Sequence, residues 1–331
     1  MKAEFAIANC EGWQAPELFV RHSLWSELMS AVRLKPKSVK NYAVLQSIRL
    51  SGAILSARKF RGFYTAAKIL GKFSGDEQHC EINIGKGSRY AFRLADPYWA
   101  RLVYGGFEYE SELRSLFARL GDMSFSFFDC GANLGYWSIY CAEFKPNCKA
   151  IFTVEASPLT FKSLERNRDI NLGKFEIMLK AIYSTSGEYV HIECSQSNHA
   201  GAGIVDVGAT NTASIETITI DDLVDQDNSG APPVIKLDVE GAEIPALRGA
   251  LKTIGGNCLL AFEDHGNDHT CKVIAHLLGN TDLNIYFLDK SDTMHPIKSI
   301  GDAQKFKVDD RVGYNFFATQ PGSDFMSIFQ N

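Results

Sequence analysis

Proline is scarce, at 10 of 331 residues, and the eight cysteines include no CxxC pair. The closest two, Cys141 and Cys148, match no common zinc-ligand spacing, so a zinc finger or ribbon is excluded and the thiols read as buried groups in a reducing compartment. No stretch approaches the roughly 20 apolar residues that span a bilayer. The best run, Ala53 to Leu55, is short and flanked by Arg49 and Arg58. The N-terminal MKAEFAIANCEGW carries Glu4 and Glu11 and lacks the apolar core of a secretory signal, which leads to the expectation of a cytoplasmic protein. A net charge of −5 argues against a general nucleic-acid coat. Most pointed is a local absence: from Met29 to Gly75 there is no acidic residue. Twelve basic residues and four acids lie between Met1 and Gly75, a local charge of +8, so the remainder carries −13.

What is present is the composition of a folded chain, 45% hydrophobic and 22% charged, which excludes wholesale disorder. Residues 1–75 read as a basic helical extension, with apolar positions Leu24, Leu28, Val32, Ile48, Ile54, Leu55, Ile69 and Leu70 and a break between helices at Lys35-Pro36-Lys37. Residues 76–121 read as a β-hairpin, Cys80 to Ile84 and Tyr90 to Leu94 about Gly85-Lys86-Gly87, followed by a lead-in helix from Tyr109 to Leu120. From residue 122 to 331 the pattern is strand, glycine-bearing loop, helix, repeated. The strands are Phe125 to Cys130, Lys149 to Glu155, FEIMLKAIY, Val234 to Val239, NCLLAFED, NIYFLD and a closing GYNFFATQ. The helices include one from Ala242 to Thr253 and one from Lys272 to Leu278. Such alternation predicts a Rossmann-like, doubly wound, mostly parallel seven-strand α/β sheet.

Asp129-Cys-Gly131-Ala-Asn133-Leu-Gly135 falls between the first strand and its helix, where open α/β sheets bind ligands. The loop lacks the middle glycine of a dinucleotide-binding GxGxxG turn, because Asn133 stands there. A carboxylate at Asp129 repels phosphate and attracts an ammonium group. Glu155 ends the second strand, where an acid accepts hydrogen bonds from the two hydroxyls of a ribose. A zwitterionic head and a ribose together describe S-adenosylmethionine. The expected cofactor-binding residues are Asp129, Gly131, Asn133, Gly135, Glu155 and, in the third strand, Ala181.

Asp129-Cys-Gly-Ala-Asn-Leu-Gly135, Val154-Glu-Ala-Ser-Pro158, Arg166-Asn167, Thr219-Ile-Asp-Asp-Leu223 and above all Ile235-Lys-Leu-Asp-Val-Glu-Gly-Ala-Glu243 resemble the FkbM family of S-adenosylmethionine-dependent methyltransferases. The last block is specific to that family, whereas DxGxNxG and the acidic second strand are shared by class I methyltransferases at large. The resemblance runs from about Tyr104 to His265, less clearly to Ala318, and leaves the first 75 residues outside. It implies methyl transfer to oxygen, commonly a hydroxyl of a sugar, glycan or polyketide.

A hydroxyl nucleophile needs a base or a metal ion within reach. Alternation places Lys236, Asp238 and Glu240 on one face at the end of the fourth strand, beside Glu263 and His265 at the end of the fifth. Asp238 and Glu240 are expected to face the sulfonium and substrate, with Glu263 or His265 taking the proton; Glu243 reads as a helix-start acid. Asp238 and Glu263 could instead bind a divalent cation such as magnesium, and the sequence does not choose. The leading reading is an O-methyltransferase acting on a small-molecule or glycan acceptor, lipid-linked glycans included, with no nucleic-acid partner. Alternatives are a polyketide or other small-molecule methyltransferase, a non-catalytic cofactor-binding scaffold, and an NAD-dependent oxidoreductase, the last disfavoured by Asn133. Residues 29–75 could touch an anionic membrane, making the protein peripheral to it, or could cap the cofactor domain or form a homodimer interface.

Overall fold

The computed structural model describes residues 33–35, 38–57, 60–74, 79–104, 108–193, 204–205 and 211–330. The proposed helical positions Leu24, Leu28 and Val32 lie outside these residues. The described part of the extension opens with a strand, β1 (Arg33–Lys35), where helix was expected, and Pro36 and Lys37 of the expected break lie outside the described residues. Helices α1 (Val39–Ser56) and α2 (Phe63–Gly71) follow. The expected hairpin is β2 (His79–Ile84) and β3 (Ser88–Arg93), turning at Gly85 with φ of 64°, and β1 pairs antiparallel with β2. A 3-10 helix (Trp99–Val103) and α3 (Ser111–Arg119) lead into the large sheet.

Its first units are β4 (Phe125–Cys130), α4 (Tyr136–Phe144), β5 (Cys148–Glu155), α5 (Pro158–Ile170) and β6 (Glu176–Leu179). Ser157 caps α5 by accepting from the Thr160 amide, with Pro158 at the first position, where a missing N–H costs nothing. The expected third strand then breaks. After Leu179 the chain leaves the large sheet, and β7 (Ala181–Ile182) joins a second sheet with β8 (Tyr189–Glu193), β9 (Ile204–Val205) and β10 (Thr212–Ile218), in the order β7-β10-β8-β9. Helix α6 (Ile220–Val224) and β11 (Pro233–Leu237) return it to the large sheet. The helix expected over 242–253 is two, α7 (Glu243–Arg248) and α8 (Leu251–Ile254). Gly249 between them sits where a Cβ would lie 2.3 Å from the Tyr183 carbonyl oxygen, a close approach that only glycine allows. The remaining elements are β12 (Leu259–His265), α9 (Lys272–Asn280), β13 (Asn284–Leu288), β14 (Met294–Ile297), α10 (Ile300–Gln304), β15 (Gly313–Thr319) and a 3-10 helix (Asp324–Phe329).

The large sheet has eight strands in the order β14-β13-β15-β12-β11-β4-β5-β6, one more than expected. The addition is β14, whose sequence MHPI contains a proline; Pro296 is tolerated because the strand lies at the edge of the sheet. Strands β12, β11, β4, β5 and β6 run parallel, and β15, β13 and β14 pair antiparallel. Period-two alternation divides the core. Phe125, Phe127, Val234, Leu259, Ala261 and Phe317 face one hydrophobic layer, while Phe128, Ile235, Leu237, Leu260, Phe262 and Phe316 face the other. The first layer also takes Val44, Leu45 and Ile48 of α1 and Ile82, Tyr90 and Phe92 of the hairpin, so the described extension shares a core with the sheet. Strand β4 lies between β11 and β5, and the direction of strand succession reverses there. Such a switch point opens a crevice at the carboxyl ends of the strands.

Candidate active site

A cleft of about 830 Å³, counting its open mouth, occupies that switch point. Its floor comes from the β4–α4 loop (Gly131, Ala132, Asn133), from Glu155 and from Asp238 to Glu240, and its far end from Ala181 and Ile192 of the second sheet.

The β4–α4 loop is held by its neighbours. Gly131 has a φ of 82°, and a Cβ on it would stand 1.8 Å from the Asp238 carbonyl oxygen, so glycine here lets β4 and the end of β11 close up. Gly135 caps α4 with a φ of 80°, where a Cβ would meet Leu164; it serves helix packing and does not line the cleft. Asn133 adopts a φ of 53°, and its amide donates to Glu155 Oε2 at 2.9 Å. Glu155 Oε1 accepts the Ser157 amide at 2.8 Å. Both carboxylate oxygens are thereby oriented by backbone at the wall of the cleft that Glu155 lines.

Asp129, expected to meet a ligand ammonium directly, is 1% exposed and is not among the cleft-lining residues. Its Oδ2 accepts from the Ser138 amide at 3.2 Å and hydroxyl at 2.7 Å, anchoring the start of α4. Its Oδ1 has no hydrogen-bond partner among the described residues. Burial pushes its pKa up, and the Lys236 ammonium opposes that.

Behind the loop, Asn167 binds two segments at once. Its amide group donates to the carbonyls of Leu134 at 2.8 Å and Ala91 at 3.0 Å, and its Oδ1 accepts the Ala91 amide at 2.7 Å. This buried side chain ties the β4–α4 loop to hairpin strand β3. Asn167→Leu strands three buried backbone groups, each costing about 1–3 kcal/mol when unpaired. Chemical denaturation is expected to show a loss of several kcal/mol, and a loss under 1 kcal/mol would mean that the clamp contributes little.

The expected acids meet around one cation. Lys236 Nζ lies 2.8 Å from Asp238 Oδ2, and both side chains are largely buried. Although burial opposes charge on Lys236, the carboxylates of Asp238, Glu110 and Asp129 raise its pKa and hold it protonated. Burial also works against ionised Asp238, yet Lys236 and a hydrogen bond with Glu263 keep its pKa below the ordinary value. Glu263 is the protonated partner: burial and the Asp238 charge push its pKa up to about 10. Glu263 itself is packed against β15, where a Cβ on Gly313 would collide with its Oε1 at 1.2 Å. Gly313→Ala is therefore expected to displace Glu263 and lower turnover, read in a steady-state assay; unchanged turnover would release Glu263 from any part in the reaction.

Glu240 stands at the cleft wall with a left-handed φ of 48° and no side-chain hydrogen bond among the described residues. Desolvation, then the charges of Asp238 and Glu243, push its pKa up to about 8. Glu243 accepts the Gly241 amide at 3.0 Å in the opening turn of α7, the helix-start role expected of it. His265 does not join this group. It is exposed at the end of β12, with Nδ1 2.8 Å from Asn267 Oδ1, and is not a lining residue. Among the described residues no group of three or more metal-ligating side chains converges.

Sequence reasoning missed the aromatic wall and Glu110. Tyr98, Trp99, Tyr109, Tyr136 and Trp137 line the cleft, with Trp99 and Tyr136 stacked at 6.2 Å and Tyr98 edge-on to Trp99 at 4.9 Å. Trp99 Nε1 donates to Asn133 Oδ1 at 3.3 Å, and Trp137 Nε1 to Glu110 Oε2 at 2.5 Å. Burial pushes the Glu110 carboxyl up to about 7, with Lys236 opposing. The available signal was tryptophan itself: of only four in the chain, two stand beside tyrosine in PYW and GYW.

The parallel sheet, its switch-point cleft and the acid-ended β5 define a Rossmann-like domain with a ligand site at the carboxyl ends of its strands. Residues 129–276 match the methyltransferase FkbM domain. The chain is 26% identical over 181 residues to the hexuronic acid methyltransferase AglP of Haloferax volcanii, spanning 55% of this chain and 72% of that protein. Among solved structures, the methyltransferase FkbM of Methylobacillus flagellatus aligns at 17% identity and a TM-score of 0.39, over 68% of this chain and about half (53%) of that one. The O-methyltransferase TomG of Streptomyces achromogenes, solved in complex with SAM, aligns at 14% identity and a TM-score of 0.36, over 64% of this chain and 80% of that one.

Proposed function

We propose that the protein is an S-adenosylmethionine-dependent O-methyltransferase whose acceptor is a sugar hydroxyl, with a uronic acid or a glycan containing one as the first class to test. The observation that carries the reading is the placement of acids at the switch point: Glu155, oriented by the Asn133 and Ser157 amides, lines the cleft with Asp238 and Glu240, while the two lining cations are each held by a carboxylate, Lys236 by Asp238 and Lys180 by Glu216. Such a site suits a ligand with positive charge and a ribose diol and is hostile to a diphosphate. Glu155 would hold the ribose hydroxyls. The Gly131–Asn133 backbone and the field of Asp129 and Asp238 would hold the amino-acid head, and the aromatic wall would cover the sulfonium. When bound, S-adenosylmethionine supplies an electrophilic methyl group for in-line displacement.

The chain's own residues must then align the acceptor, exclude water and take the hydroxyl proton. Glu263, its pKa pushed up to about 10, holds its proton well above the pH at which Glu240 releases its own, and so is the poorer base. Asp238 is engaged by Lys236. Glu240 has a pKa near the working range, lines the cleft and keeps its carboxylate uncommitted, so it is the proton acceptor in this reading. The 26% identity to a hexuronic acid methyltransferase supports the sugar class.

The test is transfer of label from methyl-labelled S-adenosylmethionine to oligosaccharides with and without uronic acid, followed by mild alkali. Label that survives alkali is an ether and fits a hydroxyl acceptor. Label released by alkali is an ester on a carboxylate and would overturn the hydroxyl assignment, and no transfer to any sugar would overturn the substrate class.

A further inference from the structure

Helices α1 and α2 turn an apolar and basic surface outward. On α1, Val39, Ala43, Leu50, Ala53 and Ile54 share one face at helical spacing, with Val39, Leu50 and Ile54 exposed at 89%, 62% and 64%. The opposite face buries Val44, Leu45 and Ile48. A surface helix normally sets charge where α1 sets these residues. On α2, Tyr64, Ile69 and Phe73 are exposed beside Lys68 and Lys72, and Arg61 is exposed just before the helix. No acidic residue occurs from 29 to 75, although the Asp309 carboxylate lies near enough to Arg61 for the two charges to interact.

We infer that this face docks on the surface of an anionic lipid bilayer. Exposed aliphatic and aromatic side chains interspersed with lysine and arginine, on a segment that itself has no acids, match an interface of acyl chains beneath negative headgroups. Charge argues against a second copy as occupant, because a two-fold contact would set this basic face against an identical one. The surface also bears on the cleft. Arg49 Nε of α1 donates to the Val103 carbonyl at 3.1 Å, at the end of the 3-10 helix whose Trp99 lines the cleft. Docking here would hold the cleft close to the bilayer, where acceptors carried on lipid would be presented to it.

Co-sedimentation of the full chain with vesicles of phosphatidylcholine containing phosphatidylglycerol, and of phosphatidylcholine alone, tests this. Binding is expected to be roughly tenfold stronger or more to the anionic vesicles and to be released by salt. The pairs Leu50→Glu with Ile54→Glu, and Lys68→Glu with Lys72→Glu, should each weaken it by about tenfold or more while leaving circular dichroism and S-adenosylmethionine affinity unchanged. All four side chains are exposed, so the charge pair provides a folded variant even if the apolar pair is damaged. Equal sedimentation with both vesicle types, or of wild type and the charge pair, overturns the inference. So does a dimer in vesicle-free buffer that Leu50→Glu with Ile54→Glu dissociates, which would assign the face to a second copy. These readouts do not require methyl transfer, so their failure is distinguishable from failure of the proposed reaction.

Discussion

Glu240→Gln is expected to lower kcat by about 10²- to 10⁴-fold, the usual contribution of a positioned general base. Glutamine keeps the shape and removes the proton-accepting charge, so affinity for S-adenosylmethionine should change little. The pH profile gives a sharper signature. The carboxyl titrates near 8 and only its ionised form accepts a proton, so wild-type turnover should rise with pH through about 8 and level off above. In the variant that rise should vanish. A variant with near-normal turnover would mean either that another group takes the proton or that the acceptor is a carboxylate, which has no proton to lose.

Lys236→Met is expected to have the largest effect on stability. It leaves Asp238, Asp129 and Glu110 buried around a site without its cation, and breaking one side of a buried ion pair costs about 3–5 kcal/mol. The sign of its pH dependence follows from Asp238, whose folded pKa lies below its ordinary value. The stability contributed by that shift is present above the unfolded pKa and is lost as pH falls through the folded one. Without Lys236 the carboxylates titrate higher, and lowering the pH neutralises them. The deficit of the variant should therefore be greatest near pH 8 and shrink toward pH 5. Equal deficits at both, in urea denaturation, would show that packing and not charge sets the cost.

Most of the doubly wound sheet was legible because β4, β5, β11 and β12 are continuous apolar runs that end in acids, a local pattern. The edge strands were not. Three residues, Arg33 to Lys35, carry no period of their own and become a strand only by pairing with β2. Met294 to Ile297 hides behind its proline. Ala181 was assigned to a continuous third strand, yet the chain turns after Leu179 and places it in the second sheet, at the cleft wall.

The candidate site divides in the same way. Glu155, Asp238 and Glu240 were legible because each lies at or just beyond a strand end. Glu110 was not, since it sits in the acid-rich FEYESE and reaches Lys236 only through the tertiary placement of α3. The protonation of Glu263 depends on Asp238, a strand away, and no reading of β12 alone could assign it. His265 follows Asp264 in sequence, but the end of β12 carries it to the surface.

The most direct test of the central claim is titration calorimetry of the full chain with S-adenosylmethionine, S-adenosylhomocysteine and NAD. The cleft should bind the first two at one site, in competition with each other, with affinity sharply reduced in Glu155→Ala, and should give no heat with NAD. Binding of NAD, or no binding of S-adenosylmethionine, would contradict the account.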